Sequence, residues 1–253
     1  MGRFATAAEF YRYREPYPAE FFETVVSHLT LDGNTRLLDV ACGPGNLAIG
    51  FAPFAGSCTA IDREPEMLGA ARSAARKAKV EVNFIQTAVE DLPCVNEYDF
   101  VTIGRALHWL PRDTTLEVLE RVVADGGRIA ICGSIATDAA VNGWVAKYRE
   151  TQESWASDRD RTPSNIDADA WFAGSRFRTM DEIAVTHRHR VTIPELIGRA
   201  LSFSITCPAV IGQRRPEFEA ALKATLEPFE QNGVLEEEVI AKATVLGTAS
   251  MAL

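Results

Sequence analysis

Asp39, Gly43 and Gly45 stand in the run LLDVACGPGNLAIG (Leu37–Gly50), which is built like a strand turning sharply into a ligand loop. Leu37, Leu38 and Val40 form a short apolar stretch suited to a strand buried on both faces of a parallel sheet. Gly43 and Gly45 permit a tight turn and remove side chains that would keep a ligand off the backbone. From Asn46 onward Leu47, Ile49 and Phe51 read as a helix packed back on the sheet. The spacing Gly43-x-Gly45-x-x-Ala48 also fits the dinucleotide fingerprint, so the glycines alone leave the cofactor open. Asp39 tips the choice. A pyrophosphate seeks backbone N–H groups at a helix N-terminus, and a carboxylate just ahead of the loop repels it. S-adenosylmethionine has no phosphate there; it carries an ammonium and a sulfonium, for which a nearby acid is favourable. Asp39 is equally able to cap the turn by accepting from loop N–H groups, and the two roles are compatible.

The next segment, CTAIDREPEML, reads as a second strand (Cys58–Ile61) ending at Asp62. An acid roughly twenty residues beyond the glycines is where an open α/β sheet presents a carboxylate to ribose hydroxyls. Asp62, ahead of Pro65 and Glu66, also suits the plainer task of starting a helix over Pro65–Lys77. Met67 lies one turn into that helix, against an adenine face or, as methionines more often do, in the core.

Leu37–Gly45, Asp62 with Met67, VNFIQTAVEDLP (Val82–Pro93) and FVTIGRALHWL (Phe100–Leu110) together resemble the class I S-adenosylmethionine-dependent methyltransferases. The similarity is greatest to the small-molecule group that includes the trans-aconitate-like (methyltransferase type 11) enzymes. The opening FYRYREPYP (Phe10–Pro18) resembles the Tyr…Arg-Pro-x-Tyr-Pro start common in that group. This likeness covers about residues 4 to 135 in four ordered motifs, far more specific than one glycine loop.

The resemblance implies S-adenosylmethionine as cofactor, with Asp39, Ala41, Gly43, Gly45, Asp62 and Met67 around it. It also carries departures. In relatives the loop after the third strand often reads Gly-Asp-Ala-Glu-x-Leu-Pro, and its Asp bonds the adenine amino group. Here Thr87–Pro93 occupy those positions, and Ala88 cannot make that side-chain bond. Adenine recognition then rests on backbone groups at Ala88, Val89 and Glu90, or on another residue. Arg105 stands where relatives often have a neutral residue; it suits a cofactor carboxylate, an acidic substrate or plain solvent. Tyr11 and Arg14 are placed either to close over the methionine end, Arg14 pairing its carboxylate, or to staple the first helix to the sheet.

Methyl transfer is an in-line displacement in which the acceptor attacks the sulfonium methyl from the side opposite sulfur. The carbon is already activated, so the protein chiefly aligns the reactants and excludes water. The site should lie outside the carboxyl ends of strands one to four, at the switch point of the sheet. Where the acceptor must lose a proton, His108 is the candidate base in this region; the alternative is a His108-Trp109 wall that only shapes the site.

Composition sets the limits. A chain of 253 residues can bury one substantial core, with room for an α/β domain and a small cap. A hydrophobic share of 47% with 24% charged residues is that of a soluble globular protein. A net charge of −9 argues against nucleic acid as partner, since phosphate backbones are gripped by excess Lys and Arg. The five cysteines are scattered and lack a C-x-x-C pair, which points to free thiols in a reducing compartment, the cytoplasm, and to no zinc site. The longest apolar runs are of strand length, so neither a signal peptide nor a membrane span is expected. The start Met-Gly-Arg-Phe-Ala-Thr fits a myristoylation pattern, but no second membrane signal accompanies it, and it reads as chance.

The elements that must position these residues alternate as in a doubly wound sheet. A helix over Pro18–Leu29 carries Phe21, Phe22, Val25, Val26 and Leu29 on one side. Strands are expected at Arg36–Val40, Cys58–Ile61, Val80–Gln86, Tyr98–Ile103 and Arg128–Cys132. A helix over Thr114–Val123 opens on a Thr114/Glu117 capping box, and Asp125-Gly126-Gly127 turns the chain into the fifth strand. Beyond it the pattern predicts a helix over Asp138–Trp155 and an exposed loop at Ser157–Asn165. A strand at Glu182–Val191 follows, then helices over Thr192–Ser204, with a Thr192/Glu195 box, and Phe218–Phe229. Val234–Leu246 reads as the last strand, leaving two helices between the final pair.

Family likeness implies the order 3-2-1-4-5-7-6 with the last strand antiparallel. The fold expected is therefore a Rossmann-like, doubly wound, seven-stranded, mostly parallel α/β sheet with a small helical lid. It forms one domain over 1–253, with a cofactor core at 30–135 and substrate-side helices in 138–230. Trp144, Trp155, Trp171, Phe172, Phe203 and Phe218 line an acceptor pocket or, for most of them, the packing core of those helices. His187 and His189 share one strand face opposite Arg188 and Arg190, a solvated face or a polar patch; no third ligand suggests a metal. The function expected is methyl transfer to a small molecule. The alternatives are a non-catalytic S-adenosylmethionine-binding sensor or subunit and, against Asp39 and the downstream motifs, an NAD-dependent dehydrogenase.

Overall fold

The computed structural model describes residues 6–93, 97–156 and 166–248. Helix α1 (Ala19–Leu29) follows Pro18 and buries Phe21, Phe22 and Val25. Strand β1 (Arg36–Val40) then runs into α2 (Asn46–Phe51), and β2 (Ser57–Asp62) into α3 (Pro65–Ala78). Next come β3 (Asn83–Gln86), β4 (Tyr98–Gly104), α4 (Arg112–Val122) and β5 (Val123–Ala136). The second half holds α5 (Val145–Trp155), α6 (Ala168–Trp171), β6 (Phe177–Val191), α7 (Ile193–Leu201), α8 (Pro208–Ile211), α9 (Arg215–Leu226) and β7 (Leu235–Thr248).

The strands form one seven-stranded sheet in the order β3-β2-β1-β4-β5-β7-β6, with β7 antiparallel to the rest. The pairings β3–β2, β2–β1, β1–β4 and β4–β5 are parallel. Sequence order reverses between β1 and β4, and the carboxyl ends of strands at such a reversal are the ligand position of open α/β sheets. Period-two alternation gives the sheet two buried faces. Leu38, Val40, Val101 and Ile103 belong to one core with Leu119, Trp171 and Phe177. Leu37 and Phe100 belong to the other, with Phe21, Phe22 and Phe51. In that second core the Phe22 and Phe51 rings meet edge-on at 4.9 Å.

Backbone proximity divides the described residues into two compact units. The larger holds 17–93, 97–133, 166–185 and 241–248; the smaller holds 6–16, 134–156 and 186–240. The smaller unit has its own core, in which Trp144, Tyr148, Leu196, Leu222 and Phe218 are buried. At its centre Arg199 grips Glu237 through two hydrogen bonds (2.6 and 2.9 Å), and His189 Nε2 lies 3.0 Å from the same carboxylate. Arg199 is 3% and Glu237 0% exposed. Burial pushes the Glu237 carboxyl up, but the His189 and Arg199 contacts outweigh it and hold it at about 2.

Several local expectations are corrected. Helix α4 starts at Arg112 with Pro111 as its cap, and the Thr114 hydroxyl donates to Pro111 O rather than forming a box with Glu117. Asp125-Gly126-Gly127 lies inside β5; Gly126 takes φ 76°, and the β4–β5 register shifts between Tyr98 and Phe100, as at a bulge. Strand β3 begins at Asn83, because Lys79 ends α3 in the left-handed region and 80–82 serve as the connection. The stretch expected as one helix over Asp138–Trp155 is a short turn at Ala140–Asn142 followed by α5. Three helices, not two, separate β6 from β7, since Pro208 starts the additional short α8. The Thr192/Glu195 box is present in full at α7. The histidine face of β6 is not simply solvated: His187 stacks on His189 at 5.6 Å, and His189 meets Glu237, while Arg188 and Arg190 pair with Glu238 and Glu236. The loop expected at Ser157–Asn165, the Met1–Thr6 start pattern (apart from Thr6) and Cys94 lie outside the described residues.

Candidate functional site

The carboxyl end of β1 is held open by backbone geometry. Ala41, Gly43 and Gly45 all take positive φ (52°, 54° and 82°), and Arg105, the residue after β4, does the same (55°). Two non-glycine residues in the left-handed region, one after each central strand, are the kind of strain that marks functional loops. A Cβ on Gly43 would meet nothing within 4 Å, so the loop presents open space on that side. Gly45 differs: a Cβ there would come within 3.2 Å of Ala71 Cβ and 3.3 Å of Ile49, so it is needed for close packing of α2 against α3. At Gly104 a Cβ would stand 2.6 Å from Leu47 Cδ1.

Under this loop lie two carboxylates. Asp39 is directly paired with Thr102 in the β1–β4 register, and alternation puts both on the α2 face. Its Oδ1 accepts from Thr102 Oγ1 (2.8 Å) and its Oδ2 from Ala48 N in the first turn of α2 (3.1 Å). Asp39 is only 1% exposed. Burial pushes its carboxyl up to about 7, with Asp62 adding repulsion, against the opposing pull of Thr102 and Ala48. Asp62 ends β2; its Oδ2 accepts from Gly43 N (2.7 Å) and its Oδ1 from Glu64 N (2.9 Å), so it pins the loop and starts α3 at once. Burial pushes the Asp62 carboxyl up as well. Among the described residues neither acid forms an ion pair.

The rest of the rim comes from β3 and β4. Ala88 precedes a single 3-10 turn at Val89–Asp91, with Val89 buried and Glu90 exposed, and Arg121 ties that turn to α4 by donating to Leu92 O (2.6 Å). Met67 is 2% exposed and lies in the interior. Arg105 N donates to Cys132 O (3.0 Å), and its guanidinium stands 4.7 Å from the Tyr17 ring centre rather than simply facing solvent. His108 is half-buried on a 3-10 turn (Leu107–Trp109), its ring 4.9 Å from the Trp109 ring, which is among the exposed apolar groups.

Tyr11 and Arg14 belong to the smaller unit. There Arg14 donates to Ser202 O (3.3 Å) and stacks over Phe203 at 3.7 Å and Tyr11 at 5.3 Å. Trp144, Trp171, Phe172 and Phe218 are buried, as expected of packing residues. Sequence reading passed over Thr102 and Tyr17. The signal for Thr102 was one polar residue within the apolar strand FVTIG; Tyr17 was visible only as part of the Tyr-Pro motif. A groove of about 900 Å³ beside Arg72, Arg76, Lys79 and Ser57 lies at the amino ends of β2 and β3, away from these groups.

The donor set discriminates between cofactors. Phosphate binding at a glycine loop needs free backbone N–H groups. Here Ala48 N and Gly43 N are already engaged by Asp39 and Asp62. An acidic floor, able to ionise fully beside positive charge, fits a cationic nucleoside such as S-adenosylmethionine and disfavours a pyrophosphate.

Residues 37–127 match the family model described as a methyltransferase domain. The ubiquinone biosynthesis O-methyltransferase of Xanthomonas oryzae pv. oryzae is 33% identical over 119 residues, 46% of this chain and 49% of that protein. The chain thus spans about half the length of the curated relatives it matches. A solved structure from Anaeromyxobacter dehalogenans, assigned to the type II methyltransferases, aligns with TM-score 0.62 and 19% identity over 93% of this chain and 97% of that one. The cyclase SpnF aligns with TM-score 0.52 and 19% identity over 89% of this chain and 79% of its own.

Proposed function

We propose that this chain, whose residues 37–127 are a methyltransferase domain of the class I S-adenosylmethionine-dependent type, transfers a methyl group to a small hydroxylated acceptor. The observation that carries the reading is the loop after β1, whose amides are engaged by two buried carboxylates beneath an open face. When bound, S-adenosylmethionine supplies a methyl carbon activated by its sulfonium.

The chain's own residues do the rest. Gly43 and Gly45 let the backbone approach the ligand, with Ala41 completing the bend. Asp62 fixes the loop and, in this reading, faces the ribose hydroxyls; Asp39 supplies negative charge from below. Backbone groups at Ala88, Val89 and Glu90 take the adenine edge, with Met67 shaping the wall behind it. Arg105, held over Tyr17, orients carboxylate at the methionine end or on the acceptor. His108 removes the acceptor's proton, beside a Trp109 ring exposed enough to stack on a planar acceptor.

A hydroxylated aromatic acceptor fits this pair, and the name of the Xanthomonas relative supports an oxygen atom as the target. The likeness to SpnF shows that the fold by itself does not select the reaction, so a sensor or subunit that binds the cofactor without catalysis is the second reading. Free buried thiols at Cys42, Cys58, Cys132 and Cys207 suit the cytoplasm, and the net charge of −9 argues against nucleic acid as partner. Among the described residues no helix is long and apolar enough to cross a membrane. The test is incubation with methyl-labelled donor and a panel of phenolic, carboxylic and amine acceptors. Label in a phenolic product supports the reading; cofactor binding with no transfer across the panel favours the sensor.

A further inference from the structure

The surroundings of Asp39 have a one-sided chemistry. Within electrostatic reach of it are Asp62 and Cys58 on β2, Cys42 in the loop, Cys132 on β5 and Tyr17 in the segment before α1. From β4 and α2 it meets only the neutral donors Thr102 Oγ1 and Ala48 N. Burial pushes the three thiols up, and Tyr17 up to about 12, so these groups stay neutral at physiological pH. The cations in the vicinity act on other groups: Arg105 on Tyr17 and Cys132, Arg63 on Asp62. A carboxyl in such a place, 1% exposed and beside a second acid, is only partly ionised near neutrality until positive charge arrives.

Resting on the cofactor reading above, we propose that binding of the sulfonium donor over the loop expels a proton from Asp39 to solvent, so that donor affinity climbs with pH across neutrality. No covalent step is involved; the proton leaves the carboxyl and is taken up by buffer. Asp39 acts here through charge and loop geometry and is a positioning residue. Its buried state serves the empty loop, because a protonated carboxyl can rest without a counter-ion. It also serves the filled one, because the ionised form attracts the donor.

The test is titration calorimetry of the whole chain with S-adenosylmethionine at pH 7, in two buffers of different ionisation enthalpy, repeated from pH 6 to pH 7.5. The expectation is release of about half a proton per donor bound at pH 7 and an affinity that rises about five- to tenfold over that range. In Asp39→Asn the release should vanish. Thr102→Val removes a donor that favours the charged form, and should move the midpoint of release to higher pH; it serves as the second variant should Asp39→Asn not fold. Binding without buffer dependence overturns the inference and leaves the cofactor reading intact. Release that persists in Asp39→Asn would belong to the ligand's own amino group and overturns it equally, as does a midpoint unmoved in Thr102→Val. No binding of S-adenosylmethionine at any pH overturns the cofactor reading itself.

Discussion

At the scale of single residues, the loop after β1 is pinned by Asp39 and Asp62, while His108 stands on the turn that follows β4. Asp39 and Asp62 stood out in sequence as acids at the carboxyl ends of apolar strands, Asp39 next to last in β1 and Asp62 last in β2. Their partners stood out less. Thr102 reaches Asp39 from a strand 63 residues away, and Tyr17 meets Arg105 from the N-terminal segment, so only tertiary structure joins them. Met67 is an interior residue, 2% exposed, a placement that suits packing and a wall behind the adenine alike. His108 lies on the turn after β4, outside the 41–45 loop in sequence, and its role can be tested by its own substitution. His108→Ala should lower turnover about 100-fold or more while leaving S-adenosylhomocysteine affinity within about twofold. Undiminished turnover in that variant would reduce His108 to a wall.

At the scale of elements, the strand–loop–helix units were readable from periodicity, and the errors are instructive. The Asp125-Gly126-Gly127 signal was chemically correct, since Gly126 does take a positive φ, but the bend lies within β5 as a break in register instead of preceding the strand. The Thr114/Glu117 pattern failed because Pro111 fixes the start of α4 three residues earlier. In the second half, short prolyl turns such as Pro208–Ile211 carry too little periodicity to be seen. The two loop glycines make a matched pair for experiment. Gly45→Ala combines left-handed strain with a 3.2 Å approach to Ala71, and should cost about 1–3 kcal/mol of stability in denaturant titration. Gly43→Ala adds its methyl to open space, so its stability cost should be near the strain alone, about 1–2 kcal/mol. Its loss of cofactor affinity should be the larger of the two. Equal effects on affinity would mean that the open face at Gly43 is not where the ligand lies.

At the scale of the whole molecule, two buried acids of opposite tendency shape the response to pH. Glu237, held at about 2 by its contacts with His189 and Arg199, contributes stability that is complete above the ordinary carboxylate range and lost as pH falls towards 2. Asp39, raised to about 7, makes the native state bind the extra proton, so its contribution declines as pH rises from about 4 to about 7. The ligand-free protein should therefore melt highest at mildly acidic pH, and Asp39→Asn should flatten the decline towards neutrality; a melting profile with the same slope in both proteins would contradict this. Strands β5, β6 and β7 each contribute residues to both compact units, so one cooperative unfolding transition is expected, with tryptophan fluorescence and far-UV circular dichroism giving the same urea midpoint. Two separated midpoints would make the units independent. The measurement that bears most directly on the account is calorimetric titration of the purified chain with S-adenosylhomocysteine, with NADH as the parallel ligand. Low-micromolar binding of S-adenosylhomocysteine and none of NADH is the result predicted from a loop whose amides are already engaged by Asp39 and Asp62. Preference for NADH, or binding of neither, would contradict it.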